Sequence, residues 1–261
     1  MNDESSKSSL DDIIGDTPQL KQMLQLTMKA ARTDAPLLIL GEAGSGKQLI
    51  ARAVHRISAR KHESFVTVNC VALGESSLGS HIFGEANELE KPAQLELANK
   101  GIIYLKEIAL ITHSVQTKLL RLMERREFER VGSLHTNPVN VRLIASTKYD
   151  LGERVAEGMF HEHLYDQLNI FPIRVPPLRE RRDDIPLLAN YFVQRFARRM
   201  NKAIDSIPDE TMSSLLNSDW PGNVRQLENL IERSVVLAED SALRIPPHLM
   251  QLQSRSKQVK P

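Results

Sequence analysis

The stretch from Pro36 to Gln48, P-L-L-I-L-G-E-A-G-S-G-K-Q, decides the architecture. Pro36 to Leu40 is a short continuous apolar run, the pattern of a strand buried on both faces. Gly41, Glu42, Ala43, Gly44, Ser45, Gly46, Lys47 and Gln48 follow, and the apolar spacing beyond them predicts a helix from Gln48 to Ala59. Glycines in this context let successive backbone N–H groups turn inward around phosphate oxygens, and the positive end of the next helix adds to the attraction. Lys47 then reaches the β- and γ-phosphates as a point charge. Gln48 stands where such loops generally carry the Ser or Thr that holds Mg²⁺. A glycine-rich turn that merely happens to contain a lysine is the plainer alternative, but it needs neither the strand before nor the helix after.

Outward from this loop the chain alternates. Apolar runs at Phe65–Val68, Gly101–Leu105, Val141–Ala145 and Phe171–Val175 predict further buried strands, with a helix over Ser114–Arg125 among them. Upstream, Leu20, Met23, Leu24, Met28 and Ala31 recur at helical spacing within Thr17–Arg32. This alternation implies a parallel α/β sheet. After Pro176 and Pro177 the strand patterns stop, and Ile185–Met200, Asp209–Asn217 and Val224–Ala238 read as helices. The expected layout is a disordered segment at 1–12, an α/β nucleotide-binding subdomain at 13–176, an α-helical lid at 177–250 and a flexible tail at 251–261.

Composition excludes several classes. The chain has 261 residues, is 41% hydrophobic and 26% charged, and carries a net charge of +1, which opposes a global nucleic-acid-binding field. A single cysteine rules out an internal disulfide framework. No apolar run approaches the roughly 18 residues a membrane span needs, and the polar start lacks a signal-peptide pattern, so a cytoplasmic location is expected.

With these residues in hand, the chain resembles the central AAA+ ATPase domain of bacterial sigma-54-dependent transcription activators. Beyond the loop, the resemblance is carried by Val68-Asn-Cys70, Ile82-Phe-Gly84, Leu95-Glu-Leu-Ala98, Glu127-Phe-Glu-Arg-Val-Gly132, Pro176-Pro-Leu-Arg-Glu-Arg181 and Trp220-Pro-Gly-Asn-Val-Arg225, in family order from Ile13 to about Leu249. Ile204-Asp-Ser-Ile-Pro208 looks like the formate hydrogenlyase activator branch. The resemblance implies an AAA+ P-loop fold with a parallel sheet flanked by helices and a small helical lid. It also implies ATP or ADP as cofactor, and a ring formed with itself or a related activator to act on sigma-54 RNA polymerase.

The departures from the family are as informative. The resemblance places a metal-binding Asp and a general-base Glu at Lys106 and Glu107, so the base survives as a remnant and the metal ligand has become a cation. An ammonium about 4 Å from a divalent ion repels it by roughly 8 kcal/mol at an effective dielectric of about 20. Mg²⁺ is therefore in doubt, unless Lys106 turns away and nucleotide binds with little metal help. The sensor pair Thr-Asn reads Thr147-Lys148, keeping the hydroxyl alone. The two arginine-finger positions are His161 and Gln167; such fingers contribute about 10³- to 10⁵-fold in rate, and a protonated His161 is a weak substitute. The lid arginine, Arg225, is intact. Between Phe83-Gly84 and Gln94-Leu-Glu-Leu-Ala98 the interval is shorter than the family's and lacks its Gly-Ala-Phe-Thr-Gly-Ala loop; Glu85–Ala93 suits a solvated turn instead.

Other features invite plain readings. The scattered histidines, His161 and His163 included, lack zinc-site spacing. Arg179–Arg182 and Arg195–Arg199 read as solvated or subunit-interface charge rather than nucleic-acid contacts, and Cys70 as a core residue. No helix-turn-helix follows Leu249, so no DNA-binding domain is expected in this chain. Retained binding residues beside altered metal, sensor, finger and sigma-contact positions favour a nucleotide-binding pseudo-ATPase that regulates transcription. The alternatives are a working ATPase that remodels sigma-54 RNA polymerase, and a structural module without nucleotide.

Overall fold

The computed structural model describes residues 12–72, 74–87 and 91–246. The segments expected to be disordered at 1–12 (Asp12 apart) and flexible at 251–261 lie outside the described residues, as does the end of the expected lid. Two compact units emerge. One contains Gln22–Gly41 and Lys47–Val175, the other Ile13–Lys21, Glu42–Gly46 and the chain from Pro176.

The first unit is built on five parallel strands: β1 (Leu37–Leu40), β2 (Phe65–Asn69), β3 (Ile102–Lys106), β6 (Arg142–Thr147) and β7 (Pro172–Arg174). Their order across the sheet is β2-β3-β6-β1-β7, so β1 lies between β6 and β7 rather than beside its sequence neighbour. Apolar side chains at every position of β3 but the last remove both faces from water, which the run Ile-Ile-Tyr-Leu foretells. The register pairs Leu40 with Thr147 and Lys106 with Ser146, bringing the carboxyl ends of β1, β3 and β6 to one edge. In open α/β sheets that edge is where ligands bind.

Helices α1 (Pro18–Ala31), α2 (Lys47–Ile57), α3 (Glu75–Phe83), the one-turn α4 (Gln94–Leu97), α5 (His113–Arg125), α6 (Leu151–Ala156) and α7 (Glu162–Leu168) accompany the strands. Helix α2 buries Ile50, Ala51, Ala53 and Val54, the i, i+3, i+4 stripe of an amphipathic helix. Cys70 lies in the core with Val68, Phe83 and Ile103, and burial pushes its thiol up to about 12, so it behaves as a small apolar residue. A hairpin of β4 (Glu127–Glu129) and β5 (Thr136–Pro138) adds an antiparallel pair that the sequence reading did not anticipate.

Arg142 interrupts the apolar run of β6, yet it is only 2% exposed. Its guanidinium donates to the carbonyls of Ala30, Ala31 and Ala35. Two of these end α1, where carbonyls have no partner within the helix and the dipole favours a cation. Desolvation brings its pKa down to about 10.

The second unit holds α8 (Ile185–Arg199), α9 (Asp209–Leu216) and α10 (Asn223–Leu237) around Leu178, Phe192, Phe196, Trp220, Leu227 and Ile231. Buried Asp184 accepts from Asp16 N, Thr17 N and the Thr17 hydroxyl, tying Ile13–Lys21 to the helices. The arginines of Arg195–Arg199 are solvated, with Arg195 and Arg199 exposed by 42% and 61%. Arg195 pairs with Glu228 and Arg199 with Glu232, joining α8 to α10 within the chain, and Arg195 also covers Phe192 and Phe196. Among the described residues no helix is long and apolar enough to cross a membrane.

Candidate functional site

In the α/β unit, the loop begins where Gly41 N donates to Thr147 O at 3.2 Å, so β6 fixes the exit of β1. Lys47 opens α2. Its ammonium donates to Gly41 O at 2.6 Å and stands 3.5 Å from Glu107 Oε1. Burial lowers the Lys47 pKa, Glu107 opposes that, and the charges of Lys148 and Lys106 add to the lowering. Glu107 follows β3 in a left-handed backbone conformation (φ 57°), which costs about 1–3 kcal/mol for a non-glycine residue. Its second oxygen accepts from Lys148 N at 3.1 Å. Lys106, the last residue of β3, donates its ammonium to Gln48 Oε1 at 3.3 Å.

The structure thus brings Lys47, Gln48, Lys106, Glu107 and Lys148 together. Mg²⁺ prefers hard oxygen donors. Gln48, where phosphate-binding loops generally carry a metal-binding hydroxyl, and Lys106, where the resemblance puts the metal-binding Asp, hold an amide oxygen and an ammonium already bonded to one another, and this donor set does not fit a divalent cation. Thr147 is buried, and its hydroxyl accepts from Tyr149 N at 3.0 Å, a local turn contact. His161 stands elsewhere: its Nε2 lies 3.3 Å from the Thr117 hydroxyl and its ring packs edge-on against His113. Gln167 is exposed on α7.

In the helical unit, the middle of the loop is held from several sides. Gly44 has φ 75°, and a Cβ there would lie 2.2 Å from the Gly222 carbonyl oxygen, so only glycine fits. Asn223 donates to Glu42 Oε2 at 2.9 Å and Ala43 O at 3.1 Å, while its own oxygen accepts from Leu178 N. Arg179 forks onto both oxygens of Glu42, a contact that raises its pKa. Arg181, 3% exposed, donates to Ser45 O. Arg179 and Arg181 therefore hold the loop from within the unit, while Arg182 stays exposed, donating to Leu216 O and pairing with Asp219. Arg225 N donates to Gly44 O at 3.3 Å, and its side chain is exposed. The sequence reading assigns Asn223 no role; an asparagine just after Pro-Gly and before a helical pattern is the signal it offers, and the structure places that asparagine at φ 54°.

Just after α3, Gly84 and Ala86 are held against Val131. Val131 N donates to Gly84 O and Ala86 N to Val131 O, and a Cβ on Gly84 would meet that of Ala93 at 3.1 Å. Arg130 binds both oxygens of Glu96 behind it.

Each of the two units has counterparts among known proteins. The family described as "Sigma-54 interaction domain" matches residues 13–174, and "AAA+ ATPase lid domain" matches residues 179–260. The chain belongs to the sigma-54 interaction family. This sigma-54 interaction domain, with its lid, is 43% identical over 256 residues to the DNA-binding transcriptional activator HyfR of Escherichia coli strain K12, covering 96% of this chain and 38% of that protein. It is 44% identical over 231 residues to the transcriptional regulatory protein ZraR of Salmonella typhimurium strain LT2, covering 86% of this chain and 52% of that one. The chain thus spans about half or less of these relatives. Among solved structures, NtrX from Brucella abortus in complex with ATP is similar at 34% identity and a TM-score of 0.88, over 98% of this chain and 59% of that one. NtrX in complex with ADP gives 36% and 0.85, over 91% and 55%.

Proposed function

We propose that this chain is a nucleotide-binding regulatory module of the sigma-54 activator type that holds ATP or ADP and hydrolyses it weakly or not at all. The observation that carries this reading is the Lys106–Gln48 hydrogen bond, beside a phosphate-binding loop that keeps its glycines and Lys47. The loop from Gly41 to Gln48 takes the phosphates, with Lys47 as the point charge and Arg225 as the lid cation. The likeness to NtrX bound to ATP and to ADP supports the choice of ligand. Glu107 is the remnant base, Thr147 the remnant sensor and His161 the weak counterpart of a finger. A base without a metal-binding partner, and a neighbour without arginine fingers, lose the electrostatic stabilisation on which phosphoryl transfer mainly depends.

The module assembles with itself or with a related AAA+ activator in a ring and influences the RNA polymerase machinery through that ring. Direct contact with sigma-54 is not made through Gly84–Ala93, whose stems are closed on each other and on Val131. Subdomain limits near 13, 176 and 250 belong to the same proposal. The test is steady-state Mg-ATP turnover at high protein concentration against a Lys47→Ala background, together with nucleotide binding by both proteins. Lys47-dependent binding without turnover above background is expected. Turnover near about 1 s⁻¹, an ordinary enzyme rate, would make the chain a working ATPase, and binding by neither protein would leave a structural module.

A further inference from the structure

We infer that Lys106 takes the place of a divalent cation, so that this chain takes its nucleotide as the free polyanion and not as the magnesium complex. The inference rests on the nucleotide-binding reading and specifies the form of the ligand. Lys106 ends β3 with its ammonium 3.3 Å from Gln48 Oε1, and Gln48 follows Lys47 in the first turn of α2. The amide oxygen that a cation would need is thus already an acceptor for an ammonium on the same side chain cluster. Around it lie Lys47 and Lys148 with a single carboxylate, Glu107, which is itself engaged by Lys47 and by Lys148 N.

The charge balance follows from these contacts. A magnesium site needs carboxylates or hydroxyls to share the ion with phosphate oxygens. Here lysines outnumber carboxylates, and each ammonium is a mobile point charge suited to a phosphate oxygen. A triphosphate stripped of its metal carries more negative charge than its magnesium complex and complements this cluster better. Bringing the metal in would place a doubly charged ion beside Lys106 and would require the Gln48 contact to break. Lys106 can instead pass from Gln48 to a phosphate oxygen without leaving the end of its strand. The lowered Lys47 pKa accords with the same crowding of cations.

The experiment titrates the full chain with a fluorescent ATP analogue, once in EDTA and once in excess Mg²⁺. Binding in EDTA at least as tight as in Mg²⁺ is expected. Lys106→Asp should shift the ratio of the two affinities by about tenfold or more toward Mg²⁺, and Lys106→Gln should weaken metal-free binding with a smaller gain in Mg²⁺. Circular dichroism of both variants establishes that they are folded, and the Gln variant carries the test if the Asp variant is not. Binding in Mg²⁺ alone would overturn the inference while leaving the nucleotide reading intact. An unchanged ratio in both folded variants would do the same. Absence of binding in either condition would overturn both.

Discussion

Glu107 stands 3.5 Å from the Lys47 ammonium, so the proposed remnant base and the proposed phosphate-binding lysine neutralise each other. A phosphate oxygen arriving at Lys47 must compete with that carboxylate. Glu107→Gln removes the competitor and keeps the shape, so ATP affinity should rise by about 3- to 10-fold, or about 1 kcal/mol. Equilibrium binding of a labelled nucleotide measures it. A loss of affinity would mean that Glu107 positions Lys47 rather than competing with its ligand.

Asn223 uses its whole amide to join Glu42 and Ala43 to Leu178. Asn223→Ala leaves buried partners unsatisfied and should destabilise the helical unit by about 2–4 kcal/mol. Asn223→Asp should be no better, because a carboxylate would face the Glu42 carboxylate. Urea unfolding followed by Trp220 fluorescence reports on this unit, since Trp220 lies in its core. A shift below about 0.5 kcal/mol for both variants would remove Asn223 as the link.

Much of this was legible in sequence because buried parallel strands are plain apolar runs and the loop is a fixed spacing. What escaped notice has physical reasons. Strands β4 and β5 are three residues each, and β5 ends in proline, so neither gives a usable alternation. Arg179 and Arg181 look unpartnered in a linear reading, because Glu42 and Ser45 lie more than a hundred residues upstream. Lys106 was legible as a substitution, whereas its bond to Gln48 was not: two unrelated losses become one interaction only once β3 and α2 are folded together.

Ser45 gives a prediction of opposite sign. Its hydroxyl is buried without a hydrogen-bond partner among the described residues, although its carbonyl accepts from Arg181. Burying an unpaired hydroxyl costs about 1–3 kcal/mol. Ser45→Ala should therefore leave thermal stability unchanged or raise it. A clear fall in melting temperature would show that the hydroxyl has a partner in solution.

Arg142 should be intolerant of conservative change. Arg142→Lys keeps the charge but cannot reach three carbonyls in a planar fork, and Arg142→Met abandons them altogether. Losses of about 1–2 and 2–4 kcal/mol are expected in denaturant unfolding. Equal and small losses would mean that water replaces the guanidinium at the end of α1.

Alkaline pH tests the core itself. Burial raises the Cys70 thiol from 9.0 to about 12 and the Tyr104 hydroxyl from 10.0 to about 12, the latter against a bond to Ser146 that lowers it. Both groups are neutral in the fold and lose their protons more readily when unfolded. Their contribution to stability is thus fully present below pH 9 and is lost progressively as pH rises through 9–12. Lys47 acts in the opposite direction over a window that ends at 10.5: its lowered folded pKa makes stability rise as pH approaches 10.5 from below. Lys118, Arg142 and Arg181, also lowered by burial, act with Lys47, so the decline due to the two acids is read from a variant that lacks one of them. Tyr104→Phe should cost about 1 kcal/mol at pH 7, because the Ser146 hydroxyl loses its partner, and should flatten the decline above pH 10. Urea midpoints at pH 7, 9 and 10.5 decide the matter. An identical pH slope in wild type and variant would mean that the Tyr104 phenol is not protected by the sheet.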